Sequence, residues 1–164
     1  RKGGIFLRQL ADKQKVHAIV ERYRPMVYRL AMQNVKECHT ADDITQNVFV
    51  KMIEANKTFE SEEHLKAWLI RVTLNETKSF FRLAHVKRNT PLPENDTLAL
   101  SCDDEYIFLF EEIKKLKPNY KNVLYLHCYE GYTIPEIAKI LNKNVNTVST
   151  WLRRAKKELE KIIR

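Results

Sequence analysis

Apolar residues recur through most of the chain three and four positions apart, the spacing of helices that bury one side. Three such stretches come first: residues 12–35, a second opening at Thr40, and a third opening at Ser61 and running to about residue 83. Thr40 is a suitable N-cap, and Asp42 and Asp43 then fall in a first turn, where the helix dipole favours anions. The period breaks at residues 89–96, a polar run holding Pro91 and Pro93, and resumes near Asp103. No internal repeat or low-complexity tract is present. The pattern predicts an all-α chain of two small helical domains, three helices within residues 1–88 and four within residues 103–164. A flexible linker at residues 89–102 joins them.

Projecting the second helix at 100° per residue gives an ordinary core stripe of Ile44, Val48, Met52 and Ala55. Its other side carries Asp42, Gln46, Phe49 and Ile53, a mixture of polar and large apolar groups unlike a solvated face. Either the helix is buried on two sides, or Phe49 and Ile53 anchor a partner. In the third helix Leu65, Trp68, Leu69 and Val72 form the core stripe. Arg71, Asn75, Lys78 and Arg82 align as a basic ridge, flanked by Ile70, Leu74 and Phe81. Such a ridge suits a nucleic-acid strand, with cations on phosphates and amide and aromatic groups on bases; a solvated charged face gives the same pattern.

The C-terminal block is more specific. Ile107, Phe110, Ile113 and Leu116 predict one helix, and Pro118 opens another that reaches Glu130, before a stop at Gly131. Thr133 and Glu136 have capping-box spacing, and Ile137, Ala138 and Leu141 give the short helix its apolar side. A tight turn follows at Asn142-Lys143-Asn144, and Asn144 caps the last helix. This is helix-turn-helix spacing: small Ala138 at the crossing, Asn142 where the left-handed conformation is required, Val148 and Trp151 seating the second helix. Val148, Leu152, Ala155 and Leu159 face inward. Asn146, Ser149, Thr150, Arg153 and Lys157 face outward, able to reach base edges and phosphates in a major groove. An ordinary helical hairpin is the competing account.

Composition sharpens the picture at three points. Only 3 glycines leave little room for a turn-rich β fold. The net charge of +8 is unevenly spread: residues 1–90 carry 17 Lys and Arg against 10 Asp and Glu, residues 91–112 carry none against 7, and residues 113–164 carry 12 against 4. Two basic blocks suited to a polyanion thus flank an acidic stretch that contains most of the linker. Cys38, Cys102 and Cys128 build no disulfide framework, and the pairs Cys38-His39 and His127-Cys128 point about 100° apart on a helix, a poor chelating geometry. No metal or other cofactor is expected. No apolar run approaches the roughly 18 residues of a membrane span, and the first residues lack a signal-peptide core, so the expectation is a cytoplasmic protein without membrane insertion.

Three segments, in order, resemble the extracytoplasmic-function class of the sigma-70 family. Ala41-Asp42-Asp43-Ile44-Thr45-Gln46-Asn47-Val48-Phe49 and Trp68-Leu69-Ile70-Arg71-Val72-Thr73-Leu74-Asn75 are similar to segments of its region 2. Glu136-Ile137-Ala138, with Thr147-Val148-Ser149-Thr150-Trp151-Leu152-Arg153-Arg154-Ala155, is similar to region 4. The resemblance runs from about Tyr23 to Lys161. Asp42 stands where Glu is usual, and Asn142 and Asn146 stand where Gly is common. The resemblance implies a factor that binds core RNA polymerase, through the clamp helices of its largest subunit and its flap, and directs it to promoter DNA. It implies docking on polymerase by Asp42, Asp43, Gln46, Phe49 and Ile53. The −10 element would be engaged and melted by the segment from Thr58 to Arg82, with Arg71, Asn75, Lys78, Phe81 and Arg82. The −35 element would be read by Asn146, Thr147, Ser149, Thr150, Arg153, Arg154 and Lys157. The acidic linker would thread towards the polymerase active-site channel, and an anti-sigma factor is expected to cover these faces.

Two other readings compete. A stand-alone helix-turn-helix regulator explains the C-terminal half but not the segments at 41–49 and 68–75. An enzyme needs a carboxylate or histidine cluster, a nucleophile–base pair or a phosphate-cradling glycine loop, and the sequence offers none of these.

Overall fold

The protein, seen in a computed structural model, is described over residues 13–35, 37–55, 57–86 and 104–163. It divides into two compact units, residues 1–97 and 98–164. The linker expected at residues 89–102, with Cys102, lies outside the described residues, as does the side chain of Ile107. Every described element is helical.

The first unit packs three helices around one interior: α1 (Lys13–Asn34), α2 (Cys38–Glu54) and α3 (Glu62–Val86), each against the other two. Tyr23, Met26, Val27, Leu30 and Ala31 give α1 its buried face, and Pro25, which lacks a donor, sits on the exposed side of the same helix. Helix α3 starts as expected. The Ser61 hydroxyl accepts the His64 N–H at 3.1 Å, and Glu62 and Glu63 occupy the first turn. Phe59, fully buried ahead of it, meets the rings of His64 and Trp68 edge-on at 5.4 and 5.5 Å.

Helix α2 departs from expectation at its start. Its N-cap is Glu37, Thr40 lies inside the first turn, and Asp42 and Asp43 fall beyond it. Burial of Cys38 and Ala41 explains the earlier start, since both must be helical to reach the interior. The core stripe contains Ile44, Val48 and Met52, whereas Ala55 is exposed.

Phe49 is the larger correction. Only 7% exposed, it belongs to the interior and not to the mixed outer face. On α3, Ile70 and Leu74 are likewise core, while Trp68 and Val72 are half-buried. Two helices pack against each third, so each buries an arc wider than a single stripe. Buried Thr45, Thr73 and Thr77 satisfy their hydroxyls by donating to the carbonyls of Ala41, Leu69 and Leu74, at 2.7–2.8 Å. Ion pairs link the rims: Arg22 to Glu62 at 2.7 Å, Arg24 to Asp42 at 3.6 Å, and Lys51 to Glu76. The first two are well exposed and contribute at most about 1 kcal/mol each.

The second unit holds α4 (Asp104–Lys115), α5 (Pro118–Leu124), a wider π turn (Tyr125–Tyr129) that continues α5, α6 (Ile134–Leu141) and α7 (Val145–Ile163). Helix α7 is the hub and packs on α4, α5 and α6. Its Val148, Leu152 and Ala155 meet a core that includes Tyr120, Val123, Leu126, Ile137 and Ala138. Lys121 is buried too; its ammonium donates to the Lys114 carbonyl near the end of α4 at 3.3 Å, and burial pushes its pKa down.

The two neighbours on α2 separate core from surface. Phe49→Ala is expected to lower the unfolding free energy by about 3–5 kcal/mol through lost burial and a cavity. Val50→Ala, at an exposed position, is expected to stay within about 0.5 kcal/mol. Urea denaturation of both variants checks this pair.

Candidate nucleic-acid and partner interface

The outward face of α7 is built by the elements on either side of it. Helix α5 does not end as an α-helix. The Glu130 N–H reaches back to the Tyr125 carbonyl at 3.1 Å, and the Tyr125 and Tyr129 rings stack 5.1 Å apart. The Tyr125 hydroxyl donates to Glu130 at 2.8 Å, His127 Nδ1 lies 2.9 Å from the Tyr132 carbonyl, and Gly131 turns the chain at φ 77°.

Thr133 then opens α6 with the reciprocal cap expected from its spacing. Its N–H donates to Glu136 Oε2 at 2.8 Å, and its hydroxyl oxygen accepts the Glu136 N–H at 3.4 Å. The bond from the Thr133 N–H and a further one from the Thr133 hydroxyl to the same carboxylate hold the Glu136 pKa below the ordinary glutamate range.

At the other end of α6, Asn142 adopts φ 51°, ψ 52°, the left-handed conformation that asparagine tolerates. The Lys143 N–H closes the turn on the Ala138 carbonyl at 2.9 Å. Asn144 Oδ1 accepts the Asn146 N–H at 2.8 Å and starts α7. Three residues therefore reverse the chain, with Ala138 and Val148 buried on either side of the turn.

With Val148, Leu152 and Ala155 inward, Asn146, Ser149, Arg153, Arg154 and Lys157 are exposed; Thr147 is half-buried at the edge of the same face and Thr150 half-buried within it. From Val145 to Lys157 this helix carries four cations and no carboxylate. All seven residues expected to read the −35 element thus share one positive, solvent-facing surface.

Arg71, Asn75, Lys78 and Arg82 form an exposed line along α3. Phe81 is 48% exposed and meets Phe80 edge-on at 5.5 Å. Leu83, two residues on and also exposed, was not singled out by sequence reasoning. Among the α3 residues whose side chains are described, Thr77 is the last buried one, and the turns beyond it carry both cations and exposed apolar groups.

On α2, Asp43, Gln46 and Ile53 are exposed, and Asp42 is half-buried and paired with Arg24. Phe49 does not join them. Val50, 48% exposed, lies within their arc and supplies the apolar group that Phe49 does not. The signal is present in the sequence, since 100° per residue places Val50 between Asp43 and Ile53, whereas Phe49, the larger apolar group, falls just outside that arc.

Among the described residues no three His, Cys, Asp or Glu side chains are placed to hold a metal ion, and no helix is long and apolar enough to cross a membrane.

Comparison with known proteins supplies the remaining context. The sequence model for Sigma-70 region 2 matches residues 19–85, and that for Sigma-70 region 4 matches residues 109–159. RNA polymerase sigma factor SigV of Bacillus subtilis (strain 168) is 31% identical over 132 residues, spanning 79% of this chain and 80% of its own. RNA polymerase sigma factor YlaC of the same organism is 24% identical, spanning 93% of this chain and 94% of its own. Among solved structures, the sigma factor RpoE in complex with the anti-sigma factor NepR from Bartonella quintana shares the fold with a TM-score of 0.72 at 18% identity, over 92% of this chain and 97% of that one. CnrH, solved in complex with the cytosolic domain of CnrY, gives 0.68 at 20% identity over 95% and 92%.

Two expectations follow from the turn and the cap. Asn142→Gly is expected to leave stability nearly unchanged, whereas Asn142→Val costs about 1–2 kcal/mol because a β-branched residue is strained at positive φ; thermal unfolding of the two variants separates them. Glu136 titrates lower in the folded than in the unfolded chain. The cap therefore stabilises above the ordinary glutamate range, and its contribution is lost as pH falls through the depressed value. Glu136→Gln is expected to flatten that acid limb in melts stepped through the acidic range.

Proposed function

Because the chain belongs to the extracytoplasmic-function class of the sigma-70 family, and so is a sigma factor directing promoter-specific transcription initiation, we propose that its first unit docks on core RNA polymerase and engages the −10 element while its second reads the −35 element. The observation that carries this is the outward face of α7, where exposed amides, hydroxyls and cations converge on a helix held by a capped, left-handed turn. Such a helix fits the major groove, with Asn146, Thr147, Ser149, Thr150 and Arg153 aimed at base edges and Arg154 and Lys157 at phosphates.

The −10 function is assigned to Arg71, Asn75, Lys78, Phe81 and Arg82. Cations along the ridge hold the strand, while Phe81 near the end of α3 offers a ring on which an unpaired base stacks. Docking on polymerase is assigned to the exposed face of α2, Asp42, Asp43, Gln46, Val50 and Ile53. An apolar pair ringed by polar groups has the make-up of a small binding patch. Phe49 supports that face from beneath.

The second unit also offers the polymerase flap a protein surface, and the acidic residues before α4 suit a basic channel. The chemistry of RNA synthesis belongs to the polymerase, so this chain acts in the cytoplasm as a recognition protein without catalytic residues or a cofactor. The structurally similar RpoE is held by the anti-sigma factor NepR, and we extend that mode of control to this chain, with the α2 and α7 faces as the surfaces to be covered.

Run-off transcription with purified bacterial core polymerase on a promoter library tests the reading. Discrete starts that depend on this protein and share −35 and −10 motifs are expected; direct DNA binding without such starts would overturn it. Val50→Asp is expected to weaken holoenzyme assembly about five-fold or more, measured by pull-down with core polymerase. Assembly at wild-type strength would remove Val50 from the docking face.

A further inference from the structure

The helix-turn-helix contains three asparagines within five residues, and the structure gives each a separate task. Asn142 supplies the left-handed turn, and Asn144 caps α7 by accepting the Asn146 N–H at 2.8 Å. Asn146 is left with its side-chain amide exposed at the second position of α7, and no hydrogen bond engages that amide among the described residues. At 100° per residue, Asn146, Arg153 and Lys157 lie within about 40° of one another, so Asn146 stands at the centre of the outward face and not at its rim. The first turn of a recognition helix is the part that reaches deepest towards base edges.

A carboxamide presents one donor and one acceptor side by side. Adenine offers the complementary pair in the major groove, N7 as acceptor and the N6 amino group as donor; guanine there offers two acceptors and pyrimidines offer no such pair. Resting on the −35 reading of α7 above, we propose that Asn146 is a specificity-determining residue that selects an adenine, hence an A·T pair of fixed orientation, at one position of the −35 element. Arg153, seven residues on, lies about 10 Å further along the helix axis and reads or anchors a different step. The two side chains therefore govern separable positions.

The test selects −35 elements from a randomised promoter library with holoenzyme assembled from core polymerase and the full chain, wild type or Asn146→Gly. One A·T position enriched by wild type is expected to become indifferent with Asn146→Gly, a discrimination loss of about ten-fold at that position, with the other positions and the −10 motif retained. Replacing that adenine by 7-deazaadenine, which lacks the N7 acceptor, is expected to weaken initiation by wild type but not by Asn146→Gly. An identical element selected by both proteins, or equal sensitivity to 7-deazaadenine, would overturn the assignment to Asn146 and leave the −35 reading standing. No enriched −35 element with wild type would overturn both.

Discussion

A three-helix unit has a single interior, and each helix can give that interior only one arc of its surface. Everything the first unit offers a partner is what remains after burial of Ile44, Val48, Phe49 and Met52 on α2 and of Leu65, Leu69, Ile70 and Leu74 on α3. The arcs are wide because each helix meets two others, and they set the boundaries of the exposed faces to within one residue. Phe49 and Val50 are adjacent in sequence, yet one holds the core together and the other stands in solvent. The same constraint shapes the second unit, where α7 meets α4, α5 and α6 and keeps one unbroken face outward.

Local interactions were the most legible part of the chain. The Thr133–Glu136 cap, the left-handed Asn142, the Asn144 cap, the Ser61 cap and the stop at Gly131 each depend on residues within a turn of one another, so spacing alone predicted them. The all-α architecture was legible for a related reason: period-3.6 stretches are long and the breaks between them are short. The exposed line on α3 and the face of α7 followed from projection because few large apolar residues lie near their centres.

What stayed hidden depends on tertiary contact. The start of α2 moved to Cys38 because its first turn is drawn into the interior, which no capping residue announces. Phe49, Ile70 and Leu74 lie beyond the stripes that projection alone picks out, and whether such a position is buried depends on how a second neighbouring helix packs. The π turn at Tyr125–Tyr129 has no sequence mark at all; it is stabilised by the Tyr125–Tyr129 stack and the bond from Tyr125 to Glu130, partners that meet only once the wider turn exists.

The division of α7 into a buried face and a solvated one has an evolutionary consequence. Val148, Leu152 and Ala155 fix the fold, while the side chains that look outward contribute little to it. Substitutions confined to such a surface ordinarily change stability by less than about 0.5 kcal/mol. Duplicated copies of a gene for this kind of domain can therefore diverge in the sequences they prefer while every intermediate still folds, and a set of factors sharing one polymerase can be diversified by exchanging a handful of residues on a single helix.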